Sequence, residues 1–74
     1  MSKEKIYEIL SEIQPSFNFK TSSNFIEDGL LDSFDIVQLV SELEKVFDIR
    51  ISALDILPEN FNSVDAIDEL IHKK

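Results

Sequence analysis

The chain of 74 residues contains no cysteine, one histidine, one glycine and two prolines. Without cysteine, disulfides, thiolate metal sites and a cysteine nucleophile are all excluded. A single glycine cannot build a glycine-rich phosphate loop or a Gly-x-Ser-x-Gly elbow, and so few turn residues argue against an all-β domain with many hairpins. These absences favour a helical protein that is not itself an enzyme.

Positive charge is also scarce, since 7 basic residues face 15 acidic ones and the formal net charge is −8. Nucleic acids and anionic membranes would repel such a chain, so neither is an expected partner. Basic patches on other proteins would attract it, less strongly as salt rises. Because no segment approaches the roughly 20 apolar residues that span a bilayer, and no signal peptide is evident, we expect no stable membrane insertion and a cytoplasmic location.

What the sequence does contain is enough apolar material, 43% of residues, for one packed domain over residues 1–74. Helical spacing of the apolar residues and the position of Pro58 predict the element order. The predicted segments are helix one at about residues 3–13, a long loop at 15–32, helix two at about 33–47, a short helix at about 58–61 and a last helix at about 63–73. We therefore expect an all-α fold, a small up-and-down four-helix bundle, as a monomer.

The long loop and the start of helix two carry the strongest local signals. The loop shows no sustained period, but its phenylalanines Phe17, Phe19 and Phe25 predict that it packs against the core. Gly29, the only glycine, predicts a turn with positive φ near the end of the loop. Either Asp32 or Ser33 is expected to cap helix two. On helix logic alone, Ser33 is an ordinary N-cap.

Acidic residues are concentrated between residues 27 and 48, which hold seven of them against a single lysine. Two interpretations are open, an ordinary solvated helix face or a docking surface for a basic partner, and the clustering around one serine favours docking. The predicted docking residues are Asp32, Asp35, Glu42, Glu44 and Asp48.

Candidate catalytic and metal-binding residues are few. His72 lies near the C-terminus, where its interaction with the helix dipole accounts for it. The acidic run at residues 24–35 fails as a calcium loop, because placing Gly29 at its sixth position puts Ile26 at the third and Asp35 where the bidentate glutamate is needed. We predict no catalytic residue and no metal site.

The string Gly-Leu-Leu-Asp-Ser-Phe-Asp-Ile-Val-Gln-Leu-Val, at residues 29–40, resembles the attachment motif of acyl and peptidyl carrier proteins, the phosphopantetheine-binding family. Size, acidity, element order and the passage at residues 58–64 are similar to that family as well. The resemblance implies that a separate phosphopantetheinyl transferase moves 4′-phosphopantetheine from coenzyme A to Ser33, with Asp32 assisting recognition. It further implies that the arm carries acyl or aminoacyl thioesters to loading and processing enzymes with basic docking patches.

Phe34 stands where fatty-acid carriers usually have leucine, and Leu-Leu-Asp-Ser-Phe looks more like D-alanyl carrier proteins and other stand-alone carriers. We expect an acyl carrier protein whose cargo is open between fatty acyl, polyketide and nonribosomal peptide intermediates. One alternative is an aminoacyl or D-alanyl carrier with the same attachment residue. The other is an unmodified acidic helical adaptor in which Ser33 is only a cap.

Overall fold

The computed structural model describes residues 2–21 and 24–74, and within these ranges it is helical without a strand. The helices are α1 (Ser2–Ile13), α2 (Ser33–Phe47), α3 (Pro58–Phe61) and α4 (Val64–His72). Short 3₁₀ turns at Phe19–Thr21 and Ala53–Asp55 lie in the two segments for which the sequence showed no period. The prediction of a small all-α helical bundle is confirmed.

One hydrophobic cluster joins the helices. Helix α1 contacts both α2 and α4, and α3 packs against α4. Leu10, Leu39 and Ile67, from three different helices, are all fully buried. Each such side chain contributes about 1.5–3 kcal/mol relative to an exposed one, so the apolar faces of the helices supply most of the stabilisation.

The connection between α1 and α2 is anchored to this core. The rings of Phe19 and Phe25 are buried and meet edge to face, with centroids 5.0 Å apart. The amide of Phe25 donates to the carbonyl oxygen of Asn62 at 2.7 Å, which ties the loop to the junction of α3 and α4. Phe17 differs from the prediction, because it is 40% exposed, although its ring lies edge to face with that of the buried Phe19, with centroids 6.5 Å apart.

The same connection ends in a tight turn directly before α2. Gly29 adopts a φ of 77°, as predicted, and its amide donates to the carbonyl oxygen of Ile26 at 3.2 Å. Leu30 and Leu31 donate in turn to the carbonyl oxygen of Phe25, at 2.8 and 3.2 Å. The chain therefore enters α2 from a fixed direction.

The connection between α2 and α3 is fixed from the C-terminus. The Lys74 ammonium pairs with the Asp55 carboxylate, and this hydrogen bond is the main reason that the pKa of Asp55 lies below its usual range. The side-chain amide of Asn60 donates to the carbonyl oxygen of Asp55 at 2.7 Å. Asp55 thus joins this connection to α3 and to the last residue of the chain.

Candidate attachment site at the start of α2

Asp32 is the residue that caps α2. Its backbone is extended, with φ −108° and ψ −176°, and its Oδ1 accepts from the amide of Asp35 at 2.9 Å. Asp35 reciprocates, because its Oδ2 accepts from the amide of Asp32 at 3.3 Å. This capping box fills the cap position, so the interpretation of Ser33 as the N-cap is wrong.

Ser33 is instead the first residue within α2, and it is exposed. Among the residues that the structure describes, none forms a hydrogen bond with its hydroxyl group. In the same ranges the amides of Ser33 and Phe34 have no protein acceptor, as expected in the first turn of a helix. An exposed hydroxyl beside unpaired amides at the positive end of the helix dipole fits a phosphodiester at this position.

Asp35 is not on the surface. It is 6% exposed, the one buried polar or charged residue in the described ranges, and its carboxylate is engaged inside the fold. Besides the amide of Asp32, Oδ2 accepts from the side-chain amide of Gln14 at 2.9 Å. The expectation that Asp35 is an exposed docking residue therefore fails, because its negative charge is needed by the helix start.

The other predicted docking residues do not share one face of α2. Glu44 turns toward the following segment, where its Oε2 accepts from the amide of Ile51 at 2.8 Å. Glu42 is half-buried beside a groove that α1 also lines, and it pairs with Lys45 at 3.7 Å. Asp32 and Asp48 are exposed, one at each end of α2. The acidic groups thus lie at the edges and ends of the helix.

The exposed side of α2 near Ser33 is apolar. Phe34 is 70% exposed and Val37 is 62% exposed, and their spacing of three residues places them on one face. We call these two residues the α2 apolar patch. Leu54, Ile56 and Leu57, in the connection to α3, are exposed as well. Val37 is exposed because it lies on the side of α2 away from the buried Leu39 and Leu43.

The family model described as "Phosphopantetheine attachment site" matches residues 4–71 of the chain, a range that includes the start of α2. The chain belongs to this family. Members of the phosphopantetheine attachment family bind 4′-phosphopantetheine, so the predicted cofactor is confirmed. The residue that carries it is not assigned by the match.

Similar proteins of this family are D-alanyl carrier proteins. Those of Lactococcus lactis subsp. cremoris strains MG1363 and SK11 are each 30% identical, over 97% of this chain and 94% of their own length. That of Lactococcus lactis subsp. lactis strain IL1403 is 28% identical over the same shares. No solved structure matches the chain.

Two further features of the described residues concern membrane crossing and the single histidine. None of their helices has the length and apolar character required to cross a bilayer. His72, near the end of α4, lies with Nδ1 2.7 Å from the carbonyl oxygen of Asp68, one turn earlier. This arrangement is local to α4.

Proposed function

We propose that Ser33 carries 4′-phosphopantetheine and that the protein delivers D-alanine, held on this arm, to partner enzymes while catalysing no step itself. The observation that carries the proposal is the exposed Ser33 hydroxyl, which the Asp32 cap leaves free, within the region that the family model matches. The proposed location is the cytoplasm, where coenzyme A is available as the donor.

The contribution of this chain to the transfer is to present one nucleophile. The Ser33 oxygen forms a bond to the phosphorus that bears the pantetheine arm, while the pyrophosphate bond of coenzyme A breaks and adenosine 3′,5′-bisphosphate leaves. The hydroxyl proton passes to a base of the transferase. The amides of Ser33 and Phe34 favour the phosphodiester that results. When bound, the arm supplies a thiol for thioester formation, which a chain without cysteine lacks.

The surface that surrounds Ser33 supports docking by contact and by charge together. The α2 apolar patch is exposed apolar surface that a partner can bury. Apolar contacts at the centre of an interface give most of the binding affinity. Asp32 and Asp48 place negative charge at the two ends of α2. We propose that the transferase and the loading enzymes pair basic groups with these ends, which raises the association rate.

Three observations favour D-alanine over a fatty acyl group as the cargo. The curated relatives are D-alanyl carrier proteins, and their similarity covers 97% of the chain. Leu31, Ser33 and Phe34 stand in the Leu-Leu-Asp-Ser-Phe string that resembles such carriers. A small polar cargo also needs no apolar shelter inside the bundle, where Leu39 and Leu43 are fully buried.

Mass spectrometry tests the attachment residue. The purified chain is incubated with coenzyme A, magnesium and a broad-specificity phosphopantetheinyl transferase, and its mass is expected to rise by one phosphopantetheinyl group. Ser33→Ala should abolish the gain, and Ser41→Ala, an exposed serine on the same helix, should keep it. An unchanged mass of the wild type contradicts the proposal and favours the unmodified adaptor.

The cargo is tested on the pantetheinylated protein. We expect thioester formation with D-alanine in the presence of ATP and a D-alanine-activating enzyme, and little with L-alanine. A parallel reaction offers a fatty acid with an acyl-carrier synthetase. Loading by the fatty acid alone would show a fatty acyl carrier and overturn the choice of D-alanine, while leaving Ser33 as the attachment residue.

A further inference from the structure

Gln14 links the end of α1 to the start of α2. It follows the last residue of α1 directly, and its amide donates to the carbonyl oxygen of Leu10 at 2.9 Å, so its backbone continues the helical bonding. Pro15 comes next and restricts the backbone of Gln14 further. From this fixed base, the half-buried side chain reaches Asp35, which lies 21 positions later.

The side chain of Gln14 donates to the same carboxylate oxygen of Asp35 that completes the capping box. Oδ2 of Asp35 accepts from Nε2 of Gln14 at 2.9 Å and from the amide of Asp32 at 3.3 Å. In the described ranges, Gln14 is the one side chain that donates to this carboxylate. A carboxylate that is 6% exposed needs such donors, because burial removes the water that would otherwise solvate it.

Ser33 lies between the two members of the box. Its backbone is fixed on one side by Asp32, whose amide and carboxylate are both bonded to Asp35, and on the other by the first turn of α2. The direction of its Cα–Cβ bond therefore depends on a box whose buried oxygen accepts from Gln14. Because the hydroxyl has no partner in the described residues, the backbone determines where the Cβ that bears it lies.

We propose that Gln14 is a positioning residue for the modification of Ser33. By donating to Asp35 it keeps the capping box closed, and the closed box holds the Ser33 backbone and Cβ where the transferase can reach the hydroxyl. Without this donor, the Asp35 carboxylate turns toward water and releases the amide of Asp32. The hydroxyl then samples several positions, and fewer encounters with the transferase are productive. This inference rests on the proposed attachment at Ser33.

Steady-state kinetics of pantetheinyl transfer test the proposal. Gln14→Met keeps the length of the side chain but removes the donor, and we expect kcat to fall about tenfold while KM for the carrier stays near the wild-type value. Gln14→Lys restores a donor and should recover most of kcat. Partial unfolding of the carrier would have a different effect. It lowers the fraction of carrier molecules that the transferase can bind, and so raises the apparent KM for the carrier while kcat stays unchanged.

Amide hydrogen exchange gives a second readout, which does not depend on the transferase. In Gln14→Met the amides of Asp32 and Asp35 should exchange on the order of tenfold faster, while that of Leu39 in the middle of α2 is unchanged. Lys3→Met is the matched control, since it removes the ion pair with Asp65 at the other end of α1. It should change neither kcat nor these two amides.

The outcomes separate this inference from the proposed function. If the wild type is never modified, the assignment of Ser33 fails and the role of Gln14 fails with it. If the wild type is modified and Gln14→Met has wild-type kcat and exchange, the inference alone is overturned. Loss of kcat without recovery in Gln14→Lys also overturns it, because shape rather than the donor would then matter. Should Gln14→Met not fold, Gln14→Asn, whose amide is one methylene too short, is expected to show the same fall in kcat.

Discussion

Removing the Asp35 side chain should be among the most destabilising single changes in this protein. Asp35→Ala deletes the acceptor of two hydrogen bonds, from Gln14 and from the amide of Asp32. A hydrogen bond to a charged group contributes about 1.5–3 kcal/mol, and these two bonds do not add in full because they share one carboxylate oxygen. Because the Gln14 amide is also left without its partner, we expect a loss of about 3 kcal/mol. A chain of this length has a total stability of roughly 4–11 kcal/mol.

Urea unfolding followed by far-ultraviolet circular dichroism measures this loss. Two aspartates provide a graded comparison: Asp32→Ala should cost about 1 kcal/mol as a lost cap. Asp65→Ala, which removes an exposed ion pair with Lys3, should cost less than either of the other two changes because water screens the pair. A loss for Asp35→Ala no greater than that for Asp65→Ala would refute the structural role assigned to the buried carboxylate.

Four further predictions concern other parts of the molecule. Lys74→Met should lower the free energy of unfolding above about pH 4, and the difference should vanish as pH falls through the lowered pKa of Asp55, a dependence that urea melts at several pH values would show. Gly29→Ala should cost about 1 kcal/mol in the same melts, because its φ of 77° strains any L-residue although no atom lies within 4 Å of the added carbon. Phe34→Ser combined with Val37→Ser should raise the KM of the transferase for the carrier without loss of stability. An unchanged KM would exclude the α2 apolar patch from docking. Added salt or magnesium should raise the melting temperature, because it reduces repulsion among the acidic groups that give the chain its net charge of −8. No rise in a thermal scan would contradict this explanation.

The start of α2 shows how far local sequence patterns reach. The sequence left Asp32 and Ser33 as alternative caps, yet only Asp32 has an acidic residue three positions later, at Asp35, to complete a box. Ser33 has Ile36 at that spacing, so this pattern could have decided between them. The helical fold was predictable for the same kind of reason, since capping and apolar spacing are local properties.

The burial of Asp35 could not be predicted in this way. An aspartate in the first turn of a helix is usually solvated, and the donor that stabilises it inside this fold, Gln14, is 21 positions away. Glu44 was likewise assigned to the docking face, although its carboxylate serves the amide of Ile51 in the next segment. Leu54 is 87% exposed in a segment with no regular spacing. The bonds of Asp35 and Glu44 are made with residues outside α2, and the periodicity of the helix does not record them.

Because Asp32 rather than Ser33 caps α2, the start of the helix does not depend on whether the Ser33 hydroxyl is modified. If the Ser33 hydroxyl closed the helix, esterification would remove a structural hydrogen bond, and the bare and modified proteins would begin α2 differently. Since Asp32 and Asp35 close it, an arm attached to Ser33, as proposed, leaves the first turn of the helix unchanged. The scaffold that a partner enzyme meets would then be the same whether the arm is absent, bare or loaded with cargo. A partner that distinguishes the loaded carrier from the unloaded one would then do so through the arm and its cargo.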